Sequence, residues 1–433
     1  GLGYIGQVIA GVLSNKKIKV IGIETNPDIV NKINQGEAAV HEPHLHELIQ
    51  SGARSGNLIA TNDYSRIPES DIIIITVNTP IDQEYKPDLK NFVDAITSLS
   101  KALRKGQVII LKSTIPPLTT VQNVIPILEQ NSHLKANQDF WIGFSPERLA
   151  EGKAIEEFEN YPIVVGGYGT DSSDIISYFW KSILGVETIT MPSPTEAELV
   201  KLADNLWIDL NIALANELAI LSDKLQIDVS KVIMGANTLP KGKGKVNILF
   251  PSVGVGGSCL TKDPWFVHEF GKKLELDLKI PPISRTINSS MPYYTFHLLE
   301  KNLKSIGKDL KSSKICILGL SFKNNTGDLR ETPVKYIVDK LLESHCNFTL
   351  YDPWVNRTEA EKMFNKKLES SIEGAAQDSD CVMVLCGHDE FVKYPKSKLK
   401  EITKEKCIFL DGRNSFERKE IEKTGFVYQG IGK

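Results

Sequence analysis

The stretch Gly1-Leu2-Gly3-Tyr4-Ile5-Gly6 opens the chain, runs into the apolar-periodic Val8-Ile9-Ala10-Val12-Leu13, and leads to the apolar run Ile18 to Ile23, which ends at Glu24. In a dinucleotide-binding βαβ unit the glycines permit a tight turn and close backbone approach to a pyrophosphate. The following helix turns its positive N-terminus to the phosphates, and an acid about 20 residues on accepts from a ribose hydroxyl. Glu24 stands at that place, and a carboxylate there disfavours a 2′-phosphate, so the pattern predicts NAD rather than NADP. A GxGxxG run alone is weak evidence; with the strand and the acid at this spacing it becomes specific. The fingerprint ordinarily follows a strand and nothing precedes Gly1, so the expectation is a domain whose first strand is missing.

Working outward, Asp71 to Val77 and Gln107 to Lys112 read as strands ending in Asn78-Thr79-Pro80 and Ser113-Thr114-Ile115-Pro116-Pro117. Ligands of open parallel sheets sit at the carboxyl ends of strands, which places Thr79 and Thr114 toward a cofactor. A further strand, Phe140 to Phe144, leads into Ser145-Pro146-Glu147-Arg148-Leu149-Ala150-Glu151-Gly152. Apolar strands alternating with helical patterns predict a doubly wound α/β domain to about residue 190. The chain then changes character. Ser193-Pro194-Thr195-Glu196 is a capping box with proline at the first helical position, opening a helix that runs through Leu225. Lys201, Asn205 and Asp209 recur every four positions on one of its faces, beside a stripe of Leu202, Leu206, Leu210 and Leu214. A second long helix is predicted over Pro282 to Lys304. From Ser312 the α/β pattern resumes: Lys314 to Lys323 reads as strand then loop, and Phe348 to Pro353, Cys381 to Leu385 and Ile408 to Asn414 read as further strands, with the cations Lys323, Arg330 and Arg413 in the loops.

Composition narrows the function class. The 433 residues are 41% apolar and 24% charged with net charge -3, which is not the concentrated basic face of a nucleic-acid binder. The lysine-rich stretches 241–245 and 396–406 read as solvated surface or anion contacts. No apolar run approaches the ~20 residues that span a bilayer, and no signal-peptide pattern is read. The six cysteines lack CxxC spacing, so a disulfide framework and a zinc knuckle are both unsupported, and a reducing cytoplasm suits all six. Cys316, Cys381 and Cys407 fall in apolar strands and read as core. His41, His44 and His46 cluster around Glu42-Pro43; without a further ligand motif a loop or helix start is the better reading than a metal site, and no metal is expected.

Cys259 is different. It sits in Val253-Gly254-Val255-Gly256-Gly257-Ser258-Cys259-Leu260-Thr261-Lys262-Asp263-Pro264-Trp265. The glycines let backbone approach a ligand, and a nearby cation favours the thiolate, the nucleophilic form. Glycine, lysine and aspartate neighbours alone leave protease, redox and aldehyde chemistry open.

The ordered motifs GLGYIG (1–6), VNTP (77–80), KSTIPP (112–117), SPERLAEG (145–152), KLADN (201–205), GVGGSCLTKDP (254–264), FKNNTGDLRETP (322–333) and DGRN (411–414) resemble the UDP-glucose/GDP-mannose dehydrogenase family along essentially the whole chain. The resemblance implies an α/β fold of two Rossmann-like, doubly wound domains joined by a central helical dimerisation domain. It places an NAD domain in 1–190, the helical domain in 191–306 and a UDP-sugar domain in 307–433. It implies a homodimer and a two-step, four-electron oxidation of a sugar C6 alcohol to a uronate. Cys259 would be the nucleophile, carried through a thiohemiacetal and a thioester. Lys201 and Asn205 would stabilise oxyanion character at C6, which is sound electrostatics for a fixed ammonium. Asp263 would help activate water, with Thr114 and Glu151 in support. For the cofactor the resemblance assigns Gly1, Gly3, Tyr4, Ile5, Gly6, Glu24, Val77, Thr79, Thr114, Glu147 and Arg330. For the UDP-sugar it assigns Glu147, Leu149, Lys201, Asn205, Asn247, Phe250, Gly256, Lys323 and Arg413.

Val246-Asn247-Ile248-Leu249, Asp263-Pro264-Trp265-Phe266, and Arg285 and Asn288 before Met291-Pro292 resemble the UDP-N-acetyl-D-mannosamine branch. Gly257-Ser258-Cys259 and Lys262 look more like the UDP-glucose branch. Many UDP-glucose enzymes bring an arginine of the neighbouring subunit to the sugar; the corresponding stretch here is Lys241-Gly242-Lys243-Gly244-Lys245. The expectation is an N-acetylated hexosamine, manno over gluco. UDP-glucose and UDP-N-acetylglucosamine are the alternatives within enzymes, and an inactive nucleotide-sugar-binding protein is the alternative outside them.

Overall fold

Four consecutive isoleucines form β3 (Ile72–Ile75), a run whose β-branched side chains suit a buried pleated surface. The strand belongs to the first of two units into which the chain divides inside the helix Pro194–Leu225. One unit comprises residues 1–204 and 265–277, the other residues 205–264 and 278–433. The computed structural model describes residues 1–433.

In the first unit β1 (Val20–Ile23) pairs in parallel with β2 (Leu58–Thr61), Val20 opposite Leu58. A separate sheet has the order β3, β4 (Val108–Leu111), β5 (Trp141–Phe144), β6 (Ile163–Gly167) and β7 (Thr188–Thr190). β4 is buried along its whole length, as a strand covered on both faces must be, which is why it reads as an unbroken apolar run. β1 and β3 are not paired. An apolar cleft lined by Ile21, Ile23, Ile73, Ile75, Val77 and Leu99 lies there, and the strands of this unit form two sheets. The parallel pattern predicted to about residue 190 is corrected at one point: β6 is antiparallel to β5, through Gly143 opposite Gly167. A β-carbon on Gly143 would lie 2.8 Å from the Gly166 carbonyl oxygen, so only glycine admits this close crossing.

In the second unit the short antiparallel pair β8 (Pro240–Lys241) and β9 (Gly244–Lys245) makes the lysine-rich stretch 241–245 an exposed hairpin. The other strands are β10 (Lys314–Leu318), β11 (Asn347–Tyr351), β12 (Cys381–Val384), β13 (Ile408–Asp411) and β14 (Val427–Gly430). They form one parallel sheet of order β11-β10-β12-β13-β14. Its core joins Ile315, Ile317 and Met383 to Met291 and Leu299 of the helix Ile280–Ser305 and to Ala215 of the long helix. The chain reverses direction of strand addition between β10 and β12, the place where doubly wound sheets take their ligands.

The long helix inverts the simplest reading of its stripes. Lys201, Asn205 and Asp209 are buried, whereas Trp207, Leu214, Leu221 and Leu225 are exposed. The leucine stripe runs from the interior at Leu202 to the surface at Leu214.

Candidate active site

In the first unit the helix Tyr4–Asn15 starts at Gly3 with no side chain capping its N-terminus, leaving backbone N–H groups aimed outward as an anion site. A β-carbon on Gly3 would meet no protein atom within 4 Å, while one on Gly6 would lie 2.0 Å from the Gly1 carbonyl oxygen. Gly6 is thus required by the turn, whereas the space beside Gly3 is open. Glu24 Oε2 accepts the Leu2 N–H at 2.6 Å, and Oε1 accepts the Asn26 N–H at 3.0 Å. Burial pushes this carboxyl up, but the N–H groups of Asn26 and Leu2 outweigh it and hold it below its ordinary range, so Glu24 stays ionised and an acceptor. Thr76 Oγ1 donates to the Gly1 carbonyl at 2.8 Å, bringing Val77 beside the loop. Buried Thr79 donates to the Thr114 carbonyl at 2.6 Å, so the two threonines form one ledge. The open side of Gly3, the uncapped helix and the ionised Glu24 fit NAD.

The loop 145–152 is fixed from within. Glu147 Oε1 accepts the Leu149 N–H at 2.7 Å, and its Oε2 lies 3.3 Å from the buried Lys112 ammonium, which also rests over the Trp180 ring. Glu147, assigned to cofactor and substrate, therefore spends its charge on Lys112 and its own loop. Glu42 is the residue that sequence reading passed over. It is buried and accepts from the Tyr4 hydroxyl, from the Gly152 N–H at 2.6 Å and from the Ala154 N–H at 2.7 Å. It ties the GLGYIG helix to the loop of Leu149 and Glu151. Burial, reinforced by the Glu42 carboxylate, raises the Tyr4 hydroxyl well above its ordinary value, so it remains a donor. The neighbouring histidines belong to no metal cluster; His44 begins the helix Leu45–Ser55. Lys201 is buried too, one turn before Asn205 on the long helix.

The second unit holds the thiol. Of six free cysteines Cys259 alone is exposed. Its carbonyl accepts the Lys262 and Asp263 N–H groups at 3.1 and 2.9 Å, the first turn of the helix Asp263–Lys273. Asp263 is fully buried; Oδ2 accepts from Asn205 Nδ2 at 2.5 Å and Oδ1 from Lys262 Nζ at 2.7 Å. An unpaired carboxylate at this depth would cost several kcal/mol, so the Lys262–Asp263–Asn205 set stands or falls together. Three site expectations thus meet at one place, with Lys262 holding the charge of Asp263. The glycines have a different purpose from the one expected. A β-carbon on Gly256 would lie 2.5 Å from Phe322 Cβ, and one on Gly257, where φ is +82°, 2.7 Å from the Phe322 ring. They admit the 322–333 loop, and the Gly257 N–H donates to the Arg330 carbonyl at 3.0 Å. Upstream, the Asn247 carbonyl accepts from Asn211 Nδ2 at 2.7 Å, while Phe250 is exposed. Downstream, Trp265, in the first unit, stacks on Tyr85 at 4.6 Å.

The cations of the sheet carry partners. Arg413, after β13, donates from Nε to the Leu385 carbonyl at 3.0 Å and from Nη2 to the Phe322 carbonyl. Arg330 donates from Nε to both Asp328 oxygens, at 3.0 and 2.9 Å. Lys323 is half-buried in the loop after β10. That loop is held by Asp352, whose Oδ2 accepts the Leu320 N–H at 2.7 Å, and by His388 Nδ1, which accepts the Asn325 N–H at 2.8 Å. The ends of β10, β11, β12 and β13 thus build one cradle.

Family models match three successive stretches. The NAD-binding domain of the UDP-glucose/GDP-mannose dehydrogenase family matches residues 1–184, its central domain residues 195–290 and its UDP-binding domain residues 316–418. The chain belongs to this family. It is an NAD-dependent UDP-sugar dehydrogenase. The family's UDP-binding stretch contains the cradle around Lys323 and Arg413, and its NAD-binding stretch contains Gly3 and Glu24. A UDP-N-acetyl-D-mannosamine dehydrogenase of Methanococcus vannielii is 33% identical over 438 residues, covering 100% of this chain and 96% of that protein. Among solved structures, a UDP-D-ManNAc dehydrogenase of Pyrococcus horikoshii superposes with TM-score 0.90 at 30% identity, over 100% of this chain and 98% of the other. A UDP-glucose dehydrogenase of Pyrobaculum islandicum gives TM-score 0.88 at 26% identity, over 100% and 96%. No helix is long and apolar enough to cross a membrane.

Proposed function

We propose that this dehydrogenase oxidises C6 of UDP-N-acetyl-D-mannosamine to the uronate, with Cys259 as covalent carrier. The observation that carries the covalent reading is the placement of Cys259, the one exposed thiol, at the mouth of a helix beside the buried Asp263–Asn205 pair. Support for the sugar comes from likeness over the whole chain to relatives named for that substrate.

When bound, NAD takes up two electrons and one hydrogen in each oxidation. In the first, C6 loses a hydrogen and its hydroxyl a proton, leaving an aldehyde. The Cys259 sulfur then bonds to that carbon, and the thiol proton ends on the new hydroxyl, giving a thiohemiacetal. A second oxidation removes the remaining carbinol hydrogen and the hydroxyl proton, giving a thioester. Water adds to the thioester, the C–S bond breaks, and uronate and free thiol result; two NAD are consumed per product. Lys201 and Asn205 supply the positive charge and the N–H donor that favour an oxyanion. By the resemblance, Asp263 assists the water, Thr114 and Glu151 are supporting residues, Lys323 and Arg413 hold the nucleotide sugar, and Arg330 is one of the cofactor residues.

The working form is a homodimer in the cytoplasm. Trp207, Leu214 and Leu221 recur every seven residues on the long helix and are 49%, 45% and 55% exposed, an apolar stripe that a second copy covers. Sedimentation of Trp207→Glu reads this: a dimer unaffected by the charge would overturn it.

A substrate panel tests the reaction. UDP-N-acetylmannosamine should yield two NADH per uronate. Turnover of UDP-glucose alone would sink the sugar assignment, and the likeness to the Pyrobaculum enzyme makes that the outcome to exclude first. One NADH per product would mean an ordinary two-electron dehydrogenase.

A further inference from the structure

The loop that presents Cys259 is held at both ends by a buried polar chain that the reaction above does not use. Asp209, on the long helix, accepts at Oδ1 from Arg285 Nη1 at 2.7 Å and from Asn288 Nδ2 at 2.8 Å. Both partners lie on the helix Ile280–Ser305, and the Asn288 amide also donates to the Asp209 carbonyl at 2.8 Å. Asn288 Oδ1 accepts from Asn216 Nδ2 at 2.9 Å. From this chain two bonds reach the loop. Asn216 Oδ1 accepts the Ser252 N–H at 3.0 Å, ahead of the glycines. Arg285 Nη1 donates to the Leu260 carbonyl at 3.3 Å, immediately after Cys259.

We infer that Asp209, Arg285, Asn288 and Asn216 are positioning residues that set where the Cys259 sulfur stands. All four are buried, Asp209 and Asn216 completely. Stability does not account for them: Asp209 Oδ2 and Arg285 Nε have no hydrogen-bond partner, and an imperfectly satisfied buried ion pair is commonly no better than an apolar pair of the same volume. Direction does. A guanidinium fixed by a carboxylate presents its N–H groups along set vectors, and here one vector ends on the residue after the nucleophile. The amide identities are also forced. Asn288 must offer N–H to Asp209 and its oxygen to Asn216, and Asn216 must then offer its oxygen to Ser252. Each amide's orientation is dictated by the carboxylate at the start of the chain. A glycine-rich loop has little stiffness of its own, and misplacing a reacting atom by about 1 Å can cost about 100-fold in rate.

The inference rests on Cys259 being the nucleophile. Its test compares Arg285→Met, Arg285→Lys and Asn216→Ala with the unsubstituted enzyme, using UDP-N-acetylmannosamine and NAD. Arg285→Met should lower kcat about tenfold or more with both KM values within about twofold, and Arg285→Lys should recover part of the loss. Asn216→Ala loses only the bond ahead of the glycines and should fall less. If Arg285→Met does not fold, the lysine and Asn216 variants carry the measurement. Alkylation of Cys259 by iodoacetamide, read by mass spectrometry, should shift at least about threefold in rate in the same variants. That readout needs no turnover, so it judges the grip even if Cys259→Ala still forms uronate and the covalent reading fails. Folded variants with unchanged kcat and unchanged alkylation would overturn the inference, as would a loss that simply follows the melting temperature.

Discussion

A β-carbon placed on Gly3 meets no protein atom, whereas one placed on Gly257 runs into the Phe322 ring at 2.7 Å. Both glycines sit in loops that introduce helices, and in sequence both look like invitations to a ligand. The first is a surface left open: the helix Tyr4–Asn15 has no side-chain cap and Glu24 waits ionised beside it. The second is a joint, where the 254–257 backbone and the 322–333 loop press together so that the thiol two residues on has a fixed base. One loop is shaped for what arrives and the other for what must not move.

The largest expected effect separates the joint from the residue it carries. Cys259→Ala should remove uronate formation by about 1,000-fold or more while leaving the fold intact, since Cys259 is exposed; NADH release with UDP-N-acetylmannosamine measures it. Next comes the pair that defines the comparison. Gly257→Ala forces a side chain into φ +82° and should cost about 1–3 kcal/mol of stability, seen in thermal or urea unfolding. Gly3 has φ -66°, which alanine adopts freely. Gly3→Ala should leave unfolding unchanged and raise KM for NAD about tenfold. If the two substitutions destabilise alike, the distinction between an open loop and a packed one is wrong.

This distinction was only half legible in the sequence. GLGYIG, its helix and Glu24 could be read because local spacing carries the physics: a turn, a helix N-terminus and an acid on the next strand. Cys259 and Asp263 stand out in the sequence by their neighbours, but the reason for Gly256 and Gly257 lies in Phe322, far along the chain, and no spacing rule links them. Glu42 was hidden among three histidines read as a loop or helix start, although its partners are Tyr4 and two backbone N–H groups. β14 went unread because Val427-Tyr428-Gln429-Gly430 alternates in burial like an edge strand and includes a glutamine. The polar face of Lys201, Asn205 and Asp209 could be placed on one side of a helix but not inside it, since burial is decided by tertiary neighbours.

Glu42 sharpens the open side of the comparison. Glu42→Gln places an N–H donor among one hydroxyl and two backbone donors, so at least one of them loses its acceptor. Because these groups join the GLGYIG helix to Gly152 and Ala154, KM for NAD and kcat should worsen together by about tenfold. Tyr4→Phe removes a single leg and should give a smaller change of the same kind. Steady-state kinetics in which only the UDP-sugar KM moved would place Glu42 elsewhere.

The smallest effect concerns Glu198, in the first unit, whose Oε1 accepts from the Thr120 N–H at 2.8 Å and the Thr120 hydroxyl at 2.5 Å. The turn it holds follows Thr114, part of the ledge on the cofactor side. Burial pushes this carboxyl up to about 7, against the opposing pull of Thr120 and the Leu118 N–H, and Oε2 has no partner. A carboxyl raised in the folded state binds its proton more tightly than in the unfolded chain. Its stabilising share is therefore complete below the unfolded value of 4.5 and is lost as pH rises through about 7. The loss is on the order of a few kcal/mol at most. Melting curves from pH 4.5 to 8 should show the native protein losing ground to Glu198→Gln across that window, because the amide does not ionise. Parallel curves for the two proteins would mean that Glu198 titrates normally. The Thr120 turn would then be held by an ionised carboxylate at every working pH, and no proton-dependent step would lie on the cofactor side.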